Sequence, residues 1–119
     1  MTENLLSHLN QVRTMQAPYH DDICTRVGRV VDTFGSEITK YRLERILEIG
    51  PNIGVTTREL TNLFPRATID ALELDATYLP EARVVCPSAT FKHGDGYSAH
   101  LYYPKQTFDG VFMMNNLGF

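Results

Sequence analysis

Arg45-Ile46-Leu47-Glu48-Ile49 is a short, largely apolar run closed at once by Gly50-Pro51-Asn52-Ile53-Gly54. A brief apolar run bounded by Gly and Pro reads as a buried strand ending in a tight turn. Thr56 to Phe64 follows with Leu60, Leu63 and Phe64 on one helical face, and Pro65-Arg66 ends it. Outward from this unit the pattern repeats. Ala67 to Leu74 reads as a second strand and Ala76 to Val85 as a second crossover helix, with Pro80 in its first turn where proline is tolerated. A third strand is expected around Ala89 to His93, a tyrosine-rich turn or short helix over Tyr97 to Tyr103, and a fourth strand over Phe108 to Asn115. Strands alternating with helices predict an α/β domain: a mainly parallel, Rossmann-like sheet of about four strands with flanking helices.

Upstream, Leu5, Leu6, Leu9 and Val12 recur at helical spacing, and Ala17-Pro18 punctuates them. Asp21 and Asp22 then cap a second helix whose apolar face is Ile23, Val27, Val30, Val31 and Phe34, with Gly35 as its expected stop. The whole 119-residue chain is read as one domain, with residues 1–40 as a helical N-terminal extension and 41–119 as the ligand-binding part. Eleven Lys and Arg against fourteen Asp and Glu give a net charge of -3, the wrong sign for a protein that coats nucleic acid. No apolar run approaches the roughly 20 residues that span a bilayer, and the start lacks a basic, then apolar, leader pattern. Cys24 and Cys86 lie 62 positions apart and neither belongs to a metal-ligand cluster, so a reduced, cytoplasmic thiol pair and no metal site are expected.

Three acids stand at strand ends. Glu48 precedes the glycine turn by two residues. A carboxylate there would repel a pyrophosphate and favour a cationic ligand, such as an α-amino group or a sulfonium. Gly50 and Gly54 allow close approach of backbone to that ligand, and the helix start behind them offers free N–H groups. The plain alternative is the glycine turn any βα unit needs. Glu73 closes the second strand 19 residues after Gly54, where a carboxylate can accept from both ribose hydroxyls and reject a 2′-phosphate. Its alternative is a helix cap, a task that Asp75 or Thr77 could take instead. Asp95, between Gly94 and Gly96 after the third strand, can accept from an adenine amine or can simply make an Asp-Gly turn.

Together these residues resemble class I S-adenosylmethionine-dependent methyltransferases. The family's E/D-x-G-x-G-x-G turn matches Glu48-Ile49-Gly50-Pro51-Asn52-Ile53-Gly54 at the acid and the outer glycines, with Asn52 in place of the central one. Glu73-Leu74-Asp75 through Leu79, Ala82 and Arg83 resembles the acid-plus-helix pattern that follows. Gly94-Asp95 resembles the adenine-side acid, and Phe108-Asp109-Gly110-Val111 the F-D-x-V opening of the fourth strand. The resemblance implies strand order 3-2-1-4, S-adenosyl-L-methionine as cofactor, and a cofactor site built from Glu48, Gly50, Asn52, Gly54, Glu73, Leu74, Asp95, Gly96 and Asn115.

The implied reaction is methyl transfer from the sulfonium to an N, O or C acceptor, the acceptor being a small molecule or a protein. Asn115 and Asn116 would face the methyl donor, although Met114-Asn115-Asn116-Leu117 is not the N/D-P-P-Y signature of amino-group methylation. Tyr19, His20, His93 and His100 are possible general bases or ordinary surface residues. Tyr97, Tyr102 and Tyr103 either wall the adenine or pack under the sheet. The family core has seven strands, whereas four are read here, so the chain reads as a truncated, cofactor-binding half with an apolar fourth strand at its edge. An open apolar edge is a pairing template. The alternative function is therefore a non-catalytic subunit that binds a second copy or another partner through that edge.

Overall fold

The computed structural model describes residues 28–29, 32–105 and 107–113. Four parallel strands form one sheet: β1 (Arg45–Ile49), β2 (Thr68–Glu73), β3 (Thr90–His93) and β4 (Gly110–Phe112), in the order β3-β2-β1-β4. This is the Rossmann-like arrangement, with the 3-2-1-4 order that the sequence implied. The helical residues 32–38 are α1; α2 (Val55–Leu63) and α3 (Leu79–Val85) are the two crossovers, and α4 (Ala99–Tyr102) is a single turn. Single 3-10 turns, Ala76–Tyr78 and Gly96–Ser98, lead into α3 and α4. The first expected helix, the start of the second, Cys24 and Asn115 lie outside the described residues.

Strand alternation divides the core into two faces. Ile46 and Ile69 pair in register and pack with Leu60 and Phe64 of α2. Ala71 and Phe91 pair in register and pack with Leu79, Ala82 and Cys86 under α3. Both crossovers thus cover one face, and Cys86 is a buried free thiol within it. On the opposite face Leu47 and Leu72 pack with Tyr103, and Phe108 meets the Tyr103 ring edge-on at 5.5 Å. Burial, then the Asp70 carboxylate, push the Tyr103 phenol up to about 12. Tyr103 is therefore a packing residue, one of the two roles left open for it.

Two expectations are corrected. Gly35 does not end its helix: the helical run continues to residue 38, and the Gly35 carbonyl accepts from both the Thr39 N–H at 3.0 Å and the Thr39 hydroxyl at 2.8 Å. The expected fourth strand from Phe108 also starts later, at Gly110. Phe108 is drawn out of the ladder by its contact with Tyr103, and Asp109 turns its side chain onto the chain before β1. Asp109 Oδ2 accepts from the backbone N–H of Glu44 at 2.7 Å and of Arg45 at 2.9 Å, which holds its carboxyl below the usual carboxylate range.

A lowered pKa in the folded state means stability that is present at neutral pH and lost as pH falls through the shifted value. Asp109→Ala is expected to lower the Tm at pH 7 by more than Asp109→Asn, which keeps one acceptor, and the difference should shrink in acid. Thermal melts between pH 3 and 7 check this; equal melting of all three proteins at pH 7 would contradict it.

Candidate functional site

The C-terminal ends of β1, β2 and β3 carry the sequence-predicted residues, and in open α/β sheets this end is where ligands bind. The ladder extends past the strands there: the Gly50 N–H donates to the Leu72 carbonyl at 2.9 Å and the Gly94 N–H to the Glu73 carbonyl at 2.8 Å. The glycine turn, the Glu73-Leu74 corner and the Asp95-Gly96 corner are thereby held side by side.

Gly50, Asn52 and Gly54 all have positive φ, at 74°, 55° and 90°. Asn is among the few side chains that enter this region readily. Asn52 thus takes up a left-handed turn conformation that most other side chains would resist. Gly54 has a further reason to lack a side chain. A Cβ there would lie 3.0 Å from both the Cα and the carbonyl oxygen of Ala82, so the turn packs directly on the α3 backbone.

Glu48 is fully buried, and its two carboxylate oxygens accept from the hydroxyls of Thr56 and Thr57 in the first turn of α2. Desolvation raises its pKa from 4.5 to about 7; the two threonine hydroxyls oppose that shift, and the Glu73 charge adds to it. The Glu48 carboxylate lies beneath the turn, bracing the start of α2. The reason is parity. Glu48 alternates with Ile46 on the face that α2 covers. Thr56 and Thr57 were not singled out in the sequence, although two hydroxyls at a helix start behind a strand acid are the visible signal.

Glu73 joins two segments. Its Oε1 accepts from the Asn52 N–H at 2.7 Å and its Oε2 from the Asp75 N–H at 2.8 Å. Each carboxylate oxygen has a second lone-pair direction, so these bonds orient the group without exhausting it. Asp75 caps the following 3-10 turn, accepting from the Thr77 N–H at 3.0 Å and hydroxyl at 2.7 Å, which leaves Glu73 free of that task. Beside it Leu74 is exposed, an apolar platform at the strand tip. Asn52 also presents a buried Oδ1 with no hydrogen-bond partner among the described residues.

Asp95 repeats the Asp75 geometry: its Oδ1 accepts from the Tyr97 N–H at 3.0 Å and caps the second 3-10 turn. Gly96 meets β1 closely, since a Cβ there would approach Ile49 Cγ2 to 2.6 Å. Gly94 is covered by the Tyr102 ring, which a Cβ would meet at 2.5 Å. Tyr97 is almost wholly exposed at this corner. His93 bonds the Leu74 carbonyl through Nε2 at 3.0 Å. Asn115, Asn116, Tyr19 and His20 lie outside the described residues. Among the described residues, no group of three or more His, Cys, Asp or Glu side chains could hold a metal ion, and no helix is long and apolar enough to cross a membrane.

No protein-family model matches the chain, and no curated protein matches it. Solved structures do. The chain is similar to an O-methyltransferase from Bacillus cereus in complex with SAH, with a TM-score of 0.64 and 19% identity over 95% of this chain and 55% of that one. It is similar to the O-methyltransferase TomG from Streptomyces achromogenes in complex with SAM, with a TM-score of 0.61 and 17% identity over 98% of this chain and 55% of that one. It is also similar to SAM-bound CalS10, an amino pentose methyltransferase from Micromonospora echinaspora, with a TM-score of 0.52 and 23% identity over 80% of this chain and 36% of that one. The fold is that of these class I methyltransferases. The chain spans about half or less of their length.

Proposed function

We propose that the glycine turn and the β2 corner bind S-adenosyl-L-methionine, and that the protein to which this domain belongs transfers its methyl group to an N, O or C acceptor. The observation that carries this reading is Glu73. A mostly buried carboxylate, fixed by two backbone N–H groups at the tip of the strand beside the glycine turn, keeps a second acceptor position on each oxygen, which suits a vicinal diol. The fit extends to its neighbours. Leu74 offers an apolar face to a purine, Asp95 keeps an oxygen beyond its capping bond, and Asn52 Oδ1 is an acceptor awaiting a donor. Gly50 and Gly54 keep side chains out of the turn, and Gly96 keeps the third corner close to β1. Glu48 acts as a positioning residue, through Thr56 and Thr57. Asn115 remains a proposed contact on the methyl-donor side.

S-adenosylmethionine, when bound, supplies a methyl group already activated on sulfonium. The protein's part is then to orient donor and acceptor and to exclude water, and alignment of this kind supplies most of the rate in such a transfer. A second reading is favoured by β4. It is an edge of the described sheet, and Val111 on it and Met113 just after it are exposed. In that reading the domain serves as an interaction subunit, docking on a second copy or another protein through the edge.

Titration with S-adenosylhomocysteine separates the two. At about 100 times Kd it should stabilise the fold by about 2.7 kcal/mol, a rise of several degrees in Tm. Glu73→Gln, which keeps one acceptor for the turn but loses the charge, should lose most of that rise. A folded sample with no rise in Tm contradicts cofactor binding and leaves the interaction reading, which gel filtration then tests.

A further inference from the structure

At the other end of the sheet, three arginines from two segments line one groove of about 380 Å³, together with Leu43, Glu44 and Thr68. Arg42 lies before β1, Arg45 is its first residue, and Arg66 lies in the turn between α2 and β2. The groove is within the range of small-ligand pockets, about 300–1,000 Å³. It is built at the N-terminal ends of β1 and β2, away from the cofactor corners.

Three features mark it as more than a solvated surface. First, the Arg42 and Arg66 guanidinium groups have no hydrogen-bond or ion-pair partner among the described residues. In a chain of net charge -3, these two unpaired cations stand beside a third, Arg45, whose charge also acts on the Asp109 carboxylate. Second, Arg45 has an aromatic neighbour: its guanidinium carbon stands 5.5 Å from the centroid of the Phe108 ring, within cation–π range. Third, the backbone beneath is rigid. Thr68 N–H donates to the Glu44 carbonyl at 2.8 Å, Asp109 N–H donates to the Arg45 carbonyl at 2.8 Å, and the Asp109 carboxylate is occupied by the Glu44 and Arg45 N–H groups. Glu44 is the one acid in the lining, and it is an exposed residue.

We propose that this groove binds a phosphoryl group, held by the guanidinium forks of Arg42, Arg45 and Arg66 and the hydroxyl of Thr68. The guanidinium fork matches a tetrahedral oxyanion bidentately, and three forks around one cavity suit a group carrying two or more negative charges. The groove's ligand is thus distinct from a cationic nucleoside at the opposite end of the strands, and neither site depends on the other.

Calorimetric titration of the full chain with inorganic pyrophosphate at constant ionic strength tests this. Saturable binding is expected, weakened roughly 100-fold in Arg42→Ala/Arg66→Ala, at about tenfold for each guanidinium removed. Both positions are exposed, so the Tm of the double variant should be unchanged, and Arg42→Lys/Arg66→Lys should recover part of the affinity. Sedimentation with phosphatidylglycerol vesicles distinguishes the source. Arginine-dependent capture identifies a lipid headgroup, and pyrophosphate binding without capture identifies a soluble phosphoester. Absence of saturable binding to either probe, or equal binding by the wild type and the double alanine variant, would overturn the proposal.

Discussion

Glu48→Gln is expected to stabilise the protein above neutral pH. The buried carboxyl titrates at about 7 in the folded chain against 4.5 ordinarily, because burial disfavours its charged form. For a raised acid the sign is fixed: the folded state holds the proton more tightly, so its contribution to stability is complete below pH 4.5 and is lost as pH rises through about 7. The full difference corresponds to about 3 kcal/mol. Glutamine keeps the shape and one acceptor for the Thr56 and Thr57 hydroxyls while removing the charge. At pH 8 the variant should therefore melt higher than the wild type, by up to about 3 kcal/mol of stability, and at pH 4 the two should nearly coincide. Denaturant unfolding across that range measures it. A wild type whose stability does not decline between pH 5 and 8, or a variant less stable at pH 8, contradicts the assignment.

Gly54→Ala is expected to be strongly destabilising. At φ 90° an alanine is strained, and its Cβ would lie 3.0 Å from two backbone atoms of Ala82 that have no rotamer to yield. Strain of this kind costs about 1–3 kcal/mol, and displacing α3 adds to it, for a total of about 3 kcal/mol. The Tm should fall by on the order of 10 °C. The same displacement would move the turn away from Glu73, so any ligand-induced stabilisation should fall with it. A variant that melts within two or three degrees of the wild type would show that α3 does not rest on the turn.

Much of the sheet was readable because buried parallel strands are apolar runs cut by Gly and Pro. Ile46 to Ile49 and Ile69 to Leu74 announce themselves in this way, and the acids that close them mark the ligand end. Asp75 as a cap, which freed Glu73, could also be weighed from spacing alone. What the chain concealed was direction. Glu48 shares the strand parity of Ile46, and its engagement by Thr56 and Thr57 of α2 is not visible from its position before Gly50. The run Phe108 to Met113 looks uniformly strand-like, yet Phe108 is claimed by Tyr103 and Asp109 by the backbone of Glu44 and Arg45. These are long-range contacts, and local pattern carries no record of them. Gly35 misled for a related reason: its backbone hydrogen bonds continue the helix that its residue type would stop.

The most direct test is a crystal structure of the protein soaked with S-adenosylhomocysteine. The ribose hydroxyls should lie within hydrogen-bond distance of the Glu73 carboxylate, the purine against Leu74, and the amino-acid end over the Gly50–Gly54 turn. Ligand density elsewhere, or none at Glu73 with ligand in excess, would contradict a nucleoside site at the ends of these strands.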